Sequence, residues 1–252
     1  MRTSSTLAMV CGLAMALWAM SGCASDDGAG PSGDDDGADA APGSADAGEL
    51  PPTDILPENM IDDLDDGDSV LLAQGGRQGA WYTYNDMTTA GVQTPAMGDP
   101  FTPSPGGAGD SAFAAGTSGS GFTVWGAGMG FDLDVETMVK HTYDASAFHG
   151  VELTAKGSGP VRAALMIQGV ISSTVGGSCT PSAVAGEGCD DGHGKVLFLT
   201  SDWAVYKLPF DEIKQAGWGK PVAFDATTLM SIQFNVDKNL LFDFAVDNIG
   251  FY

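Results

Sequence analysis

The sequence predicts an all-β protein built as an antiparallel two-sheet sandwich, and three observations predict it. Period-2 runs dominate, as at Val161, Ala163, Leu165 and Ile167 against Arg162, Ala164, Met166 and Gln168, and at Phe242, Phe244 and Val246 against Asp243, Ala245 and Asp247. Glycine makes up 36 of 252 residues and only 17% are charged, a loop-rich β composition rather than that of a helical bundle. Helical periodicity is sustained only near the N-terminus. Further strands are expected at Met60–Leu64, Ser69–Ala73, Ala80–Tyr84, Gly121–Trp125, Gly150–Ala155, Lys195–Thr200, Ala204–Leu208 and Met230–Val236. Phe210 to Gln215 is expected as one helical turn after Pro209, and Gln93 to Gly121, rich in Gly, Pro and Ser, as a surface excursion.

Ahead of that domain the chain changes character twice. Residues 1–22 read as a lipoprotein signal peptide: Arg2 is the only charge, and Leu7 to Met20 is an apolar run too short to span a bilayer comfortably. The run ends in Met20-Ser21-Gly22-Cys23, which resembles the bacterial lipobox and implies a diacylated Cys23. Ala24 and Ser25 follow it, which by the same resemblance implies an outer-membrane or cell-surface protein held by a lipid anchor. Residues 23–58 read as an acidic disordered tether of Gly, Ala, Ser, Pro and Asp, with no apolar periodicity to bury.

Charge follows the same division. The formal net charge is −23, but ten acids fall in residues 24–58, and the 23 acids and 9 bases of residues 59–252 leave the domain at −14. Such a balance excludes a phosphate-backbone grip, so no nucleic-acid partner is expected. Two of the four cysteines, Cys179 and Cys189, fall in the domain, and an even pair in an exported chain is expected to form a disulfide. The alternative, a metal held by Cys179, Cys189 and His193, lacks a fourth ligand and a C-x-x-C spacing.

Three segments carry a family resemblance. Met60-Ile61-Asp62-Asp63-Leu64-Asp65-Asp66-Gly67 opens the domain, Ser201 to Phe210 contains Trp203 and Leu208-Pro209-Phe210, and Phe244-Ala245-Val246-Asp247-Asn248-Ile249-Gly250-Phe251 closes it. In order and spacing these resemble the galactose-binding-like jelly roll of family 11 carbohydrate-binding modules, across nearly all of residues 60–252. The resemblance implies a jelly-roll sandwich with first and last strands as neighbours, and noncovalent binding of a β-glucan-type polysaccharide. It also implies a structural Ca2+ held by Asp65 and Asp247, with Asp63 as an additional ligand; calcium wants six to eight oxygens, and carboxylates with loop carbonyls supply them. Alternation from Phe242 would put Ile249 and Phe251 on the face of Asp247, so a bulge is expected near Asp247-Asn248.

A sugar site needs flat aromatics for C–H faces and polar groups for hydroxyls. Trp81, Tyr82 and Tyr84 supply aromatics in one strand, and Trp125 and Arg162 are further candidates. If Trp81 is core, Tyr82 and Tyr84 are free to bind; if not, the reverse. Trp203, Trp218 and Phe210 are expected in the core.

No catalytic residue is assigned. The Gly67-Asp68-Ser69 and Gly109-Asp110-Ser111 triplets faintly resemble those of GDSL-type esterases, but such enzymes carry their histidine near the C-terminus, and here no histidine follows His193. The reading is therefore a surface lipoprotein that binds polysaccharide; the alternatives are an adhesion sandwich without a sugar site and a glucan-directed hydrolase.

Overall fold

The computed structural model describes residues 50–137 and 139–252. The signal peptide, Cys23 and most of the expected tether lie outside the described residues. Fourteen strands form in chain order: β1 (Met60–Asp62), β2 (Trp81–Asn85), β3 (Val92–Thr94), β4 (Ser104–Pro105), β5 (Phe113–Ser120), β6 (Gly126–Asp132), β7 (Val135–Glu136), β8 (Val139–Lys140), β9 (Gly150–Gly157), β10 (Gly159–Ile167), β11 (His193–Leu199), β12 (Ala204–Pro209), β13 (Leu229–Asp237) and β14 (Phe242–Phe251). The helical elements among the described residues are short 3-10 turns.

The strands build an all-β antiparallel sandwich. One sheet has the path β12-β9-β14-β5-β3, with β1 added beside β14 and β4 beside β5; the other runs β11-β10-β13-β6-β2. The first and last strands are neighbours, as expected: Met60 pairs with Gly250 and Asp62 with Ile249. Alternation then decides what is buried. From the first sheet Val151, Leu153, Val246 and Phe244 point inward, and from the second Leu165, Ile232, Phe234, Met129 and Phe131. Fully burying each such side chain stabilises the fold by about 1.5–3 kcal/mol.

The expected bulge is present. The register of β14 against β9 shifts between Asp247 and Gly250, and Asn248 takes a φ of 45°. The shift lets Val246, Ile249 and Phe251 all face the core, while Asp247 points to the other side of the sheet. Phe251 then stacks between Tyr143 and Phe148 at centroid distances of 5.6 and 4.7 Å.

Several expectations need correction. Gly121–Trp125 is not a strand but the connection from β5 to β6, because its backbone groups bond outside any ladder: Val124 and Trp125 donate to the Asp86 carboxylate. The stretch from Gln93 to Gly121 is not a surface excursion, since it contains β5, which pairs with β14 inside the first sheet. After Phe113 its residues, Ala114 to Ser120, are small, so the strand lacks the bulky alternation that marks the others. Ser69–Ala73 makes only a single bridge, Val70 to Ala80. Phe210–Gln215 forms a turn rather than a helix, and Lys214 pairs with Gly194 at the edge of β11. Phe210 packs on the core, but Trp218 is exposed and Trp203 is half-buried with the Lys156 ammonium 4.5 Å from its ring centroid.

The domain also begins before residue 59. Ile55 is buried, and Thr53 Oγ1 donates to Glu152 Oε1 at 2.6 Å while the Asp54 amide donates to the same carboxylate. Glu152 is a buried acid on β9, paired with Lys207 at 3.1 Å, and it needs those donors. The segment read as the end of the tether is thus the cap over that acid.

The Cys179–Cys189 disulfide forms as expected, with Cα atoms 5.8 Å apart. It closes the loop between β10 and β11. Replacing both cysteines by serine is expected to cost about 2–4 kcal/mol, read from urea unfolding midpoints and slopes together. An unchanged midpoint would show that the loop holds without the staple.

Candidate functional site

Trp81 settles the geometry of β2. Its ring is buried against Phe131, Phe101 and Phe234, and its Nε1–H donates to Asp62 Oδ2 at 2.7 Å. Trp81 is therefore corrected from ligand candidate to core residue. With Trp81 and Thr83 facing inward, Tyr82 and Tyr84 must face outward.

The outer face of the β11-β10-β13-β6-β2 sheet can be followed row by row through the register. One row runs Arg162, Asn235, Gly128, Tyr84; the next runs Ala164, Gln233, Gly130, Tyr82. On β6 both rows have glycine; Tyr84 uses the space at Gly128, and the side chain nearest Gly130 is that of Gln233. Tyr84 crosses β6 so that its hydroxyl donates to Asn235 Oδ1 on β13 at 2.6 Å. A Cβ at Gly128 would stand 2.6 Å from the Tyr84 hydroxyl oxygen. The Tyr82 hydroxyl donates to Asp132 Oδ1 at 3.3 Å and accepts from Gln233 Nε2 at 3.2 Å. Burial pushes both phenols well above their ordinary range, so they stay protonated at neutral pH.

The aromatics form a row. The Tyr82 and Tyr84 centroids are 6.0 Å apart, and Trp125 stacks on Tyr84 at 6.0 Å with 28° between planes. Trp125 is 48% exposed, so this end of the row offers an accessible indole surface. Arg162 shares the face but lies three strand spacings from Tyr84, roughly 14 Å. Its Nη2 is engaged by the carbonyls of Gly192 at 3.0 Å and Lys214 at 2.6 Å. Lys140 pairs with Asp132 at 2.7 Å and sits 5.4 Å from the Tyr82 ring centroid. The structure thus brings Tyr82, Tyr84 and Trp125 together, with Arg162 farther along the same face.

Sequence reasoning did not single out Asp132, Gln233, Asn235, Gly128 or Gly130. A signal was present: Ser231, Gln233 and Asn235 alternate with Ile232, Phe234 and Val236, and Gly126, Gly128 and Gly130 alternate along β6. Polar amides and glycines on one parity mark a sheet face that packs against no second sheet.

The acidic ends are arranged differently from the expectation. Asp247 is fully buried; its Oδ2 accepts from the Ala108 amide at 2.7 Å and its Oδ1 from the Asn248 amide at 2.8 Å. Asp65 Oδ1 accepts from Ser111 Oγ at 3.0 Å and the Ala112 amide at 2.9 Å. The two acids thus share loop 106–112. Asp63 does not join them; its Oδ1 accepts the Asp65 amide in a local turn. The buried acid of the opening motif is instead Asp62. Among the described residues no three His, Cys, Asp or Glu side chains cluster as metal ligands. Asp65, Asp247 and the Ser111 hydroxyl are oxygen donors that suit calcium, and a Cβ at Gly107 would stand 2.6 Å from Asp247 Oδ2, so the loop approaches closely because it is glycine. The rest of a calcium shell would have to come from backbone carbonyls and water.

A groove of about 480 Å³ lies on the outer face of the other sheet, lined by Pro95, Pro100, Pro105, Ser118, Lys156 and Asp243 among others. It holds none of the candidate ligand residues. Its one aromatic lining residue, Phe244, is buried, so the groove offers no flat stacking surface, whereas the tyrosine face does.

No family model matches the chain, and no curated protein matches it. Solved structures similar to it include the family 11 carbohydrate-binding module of the cellulosomal cellulase Lic26A-Cel5E of Clostridium thermocellum, at 16% identity and TM-score 0.48 over 78% of this chain and 94% of that one. A family 11 module from the same organism, in complex with a β-1,3-1,4-mixed-linked tetrasaccharide, is similar at 16% identity and TM-score 0.45, over 77% and 94% of the two chains. The family 30 module of the Clostridium thermocellum cellulase Cel9D-Cel44B is similar at 12% identity and TM-score 0.45, over 68% and 90%.

Two buried acids give the fold a pH dependence. Burial pushes the Asp62 carboxyl up to about 7 against the pull of its Trp81 and Leu64 hydrogen bonds, and burial pushes Asp247 up to about 6, with the Asp65 charge adding to it. An acid whose pKa is higher folded than unfolded holds more protons in the folded state, so stability falls as pH rises from about 4 to about 7. In calcium-free buffer, urea midpoints are expected to decline across that window, and Asp62→Asn to flatten the decline. An Asp62→Asn profile that falls as steeply as wild type would contradict this assignment; the wild-type slope alone would not decide it, because burial lowers the His193 pKa and acts with the opposite sign in this window.

Proposed function

We propose that this protein binds a neutral polysaccharide noncovalently on the outer face of its five-stranded sheet. The observation that carries the reading is the Tyr82–Tyr84–Trp125 row, beside the amides of Gln233 and Asn235. Sugar rings stack their C–H faces on aromatic surfaces, and their hydroxyls pair with side-chain amides. The tyrosine hydroxyls are engaged within the sheet, so these rings serve as platforms and polar recognition falls to Gln233, Asn235 and Asp132. The charges on the face favour an uncharged ligand: Lys140 is paired with an acid, Arg162 Nη2 is held by carbonyls, and the domain is acidic. A polyuronate would meet the repulsion of an acidic domain, and Lys140 beside Tyr82 is already paired with Asp132.

β-Glucan is the ligand to test first, because the opening and closing motifs resemble family 11 modules. We propose Cys23 as the site of a lipid anchor and the cell surface as the location; radiolabelled palmitate incorporation, lost in Cys23→Ala, checks this. Tyr84→Ala and Trp125→Ala are each expected to weaken binding to mixed-linkage β-glucan about tenfold, about 1.4 kcal/mol by calorimetry. Arg162→Ala is expected to change it far less. Full affinity in both aromatic variants would place the site elsewhere.

Calcium is part of the same proposal. Held by Asp65 and Asp247, it would neutralise a buried carboxylate and pin loop 106–112 to the last strand. Saturating calcium is expected to raise the melting temperature by about 5–10 °C, and Asp247→Asn to abolish the rise. No shift on adding calcium to chelator-treated protein would remove calcium from the account.

A further inference from the structure

Trp125 belongs to no strand, yet it is the most exposed member of the aromatic row. We propose that Asp86 is a positioning residue that fixes Trp125 over Tyr84 before ligand arrives. This rests on the reading that the row binds glycan, and it adds a residue outside that row.

The geometry is specific. One oxygen, Asp86 Oδ2, accepts from three successive amides: Val124 at 2.8 Å, Trp125 at 2.9 Å and Gly126 at 3.0 Å. The other oxygen accepts from the Thr88 amide at 3.0 Å. Successive N–H groups aimed at one point form an anion-binding concavity, here filled by the chain's own carboxylate. The carbonyl edge of the same loop is tied down too: the Lys238 amide donates to the Trp125 carbonyl at 3.1 Å, and the Asn239 amide to that of Phe122 at 2.8 Å. Thr88 Oγ1 accepts from the Thr123 amide at 3.1 Å. The backbone around Trp125 is therefore held along both edges, and Asp86, at the exit of β2, links it to the strand that carries Tyr82 and Tyr84.

The chemistry requires a carboxylate. Hydrogen bonds to an ionised acceptor are roughly twice as strong as neutral ones. An asparagine offers one acceptor oxygen, and its NH2 group would face further N–H donors. A stacking surface fixed in advance loses less freedom on binding, so its affinity depends on the anchor as well as on the ring. Asp86 acts through Trp125 and is assigned no contact with ligand.

The test is a double-mutant cycle with a spectroscopic arm. Asp86→Asn, Trp125→Ala and the double variant are titrated with a mixed-linkage β-glucan oligosaccharide. Acrylamide quenching of Trp125 is taken as the difference between otherwise identical proteins with and without Trp125→Phe. Asp86→Asn is expected to weaken binding roughly tenfold, to speed quenching of Trp125, and to weaken binding no further when Trp125 is already alanine. A loss of equal size in the Trp125→Ala background would overturn the proposal, as would unchanged quenching. If the wild type binds no glycan, the functional reading fails, and quenching alone still decides whether Asp86 holds Trp125. Should Asp86→Asn not fold, Asp86→Ser, with a shorter neutral acceptor, takes its place with the same expected outcomes.

Discussion

The buried bond from Trp81 to Asp62 fixes the parity of β2, and the binding face depends on that parity. The indole fills the space between the sheets against Phe131 and Phe234, and its N–H needs an acceptor there. Asp62, at the end of β1, supplies it. Because side chains alternate with period 2, one indole turned inward forces two phenols outward. A one-residue slip would bury Tyr82 and Tyr84 and expose Trp81. The same bond ties the edge of the first sheet to the edge of the second, so the domain opening and the aromatic row are held by one contact.

Glycine completes what parity begins. Gly128 leaves room for Tyr84 to reach across β6 to Asn235, and Gly130 lets the Gln233 side chain approach β6 and meet Tyr82. The other sheet's outer face is used differently. Residues 53–55 cap Glu152, and loop 106–112 covers Asp247, so much of that face packs against the chain itself. What stays open there is the proline-walled groove beside Lys156 and Asp243.

Much of this was legible in the sequence, for physical reasons. Alternation is a local signal, so the strands around Leu165, Ile232 and Phe244 stand out. The shift of parity after Asp247 predicted a bulge, which the register confirms. The choice between Trp81 and the tyrosines was narrowed to two alternatives, and only packing could choose. The misses share a cause. β5 is made of small residues whose neighbours fill the volume, so its period is faint. Trp125 looked like part of a strand because its order comes from Asp86, 39 residues away in sequence. Asp63 follows the buried Asp62 and matches it in type, but its carboxylate accepts the Asp65 amide in a local turn.

Acidity is also divided by position. Glu152, Asp247 and Asp62 are buried and each accepts hydrogen bonds, so these acids serve the architecture, while the aromatic row carries little free charge. The central claim is that this weakly charged aromatic face binds sugar. The most direct measurement is an NMR titration of isotope-labelled protein with a mixed-linkage β-glucan oligosaccharide. The account predicts saturable shifts at the Trp125 indole, the Tyr82 and Tyr84 rings and the side-chain amides of Gln233 and Asn235. Shifts confined to Ser118, Lys156 and Asp243 in the opposite groove would contradict it.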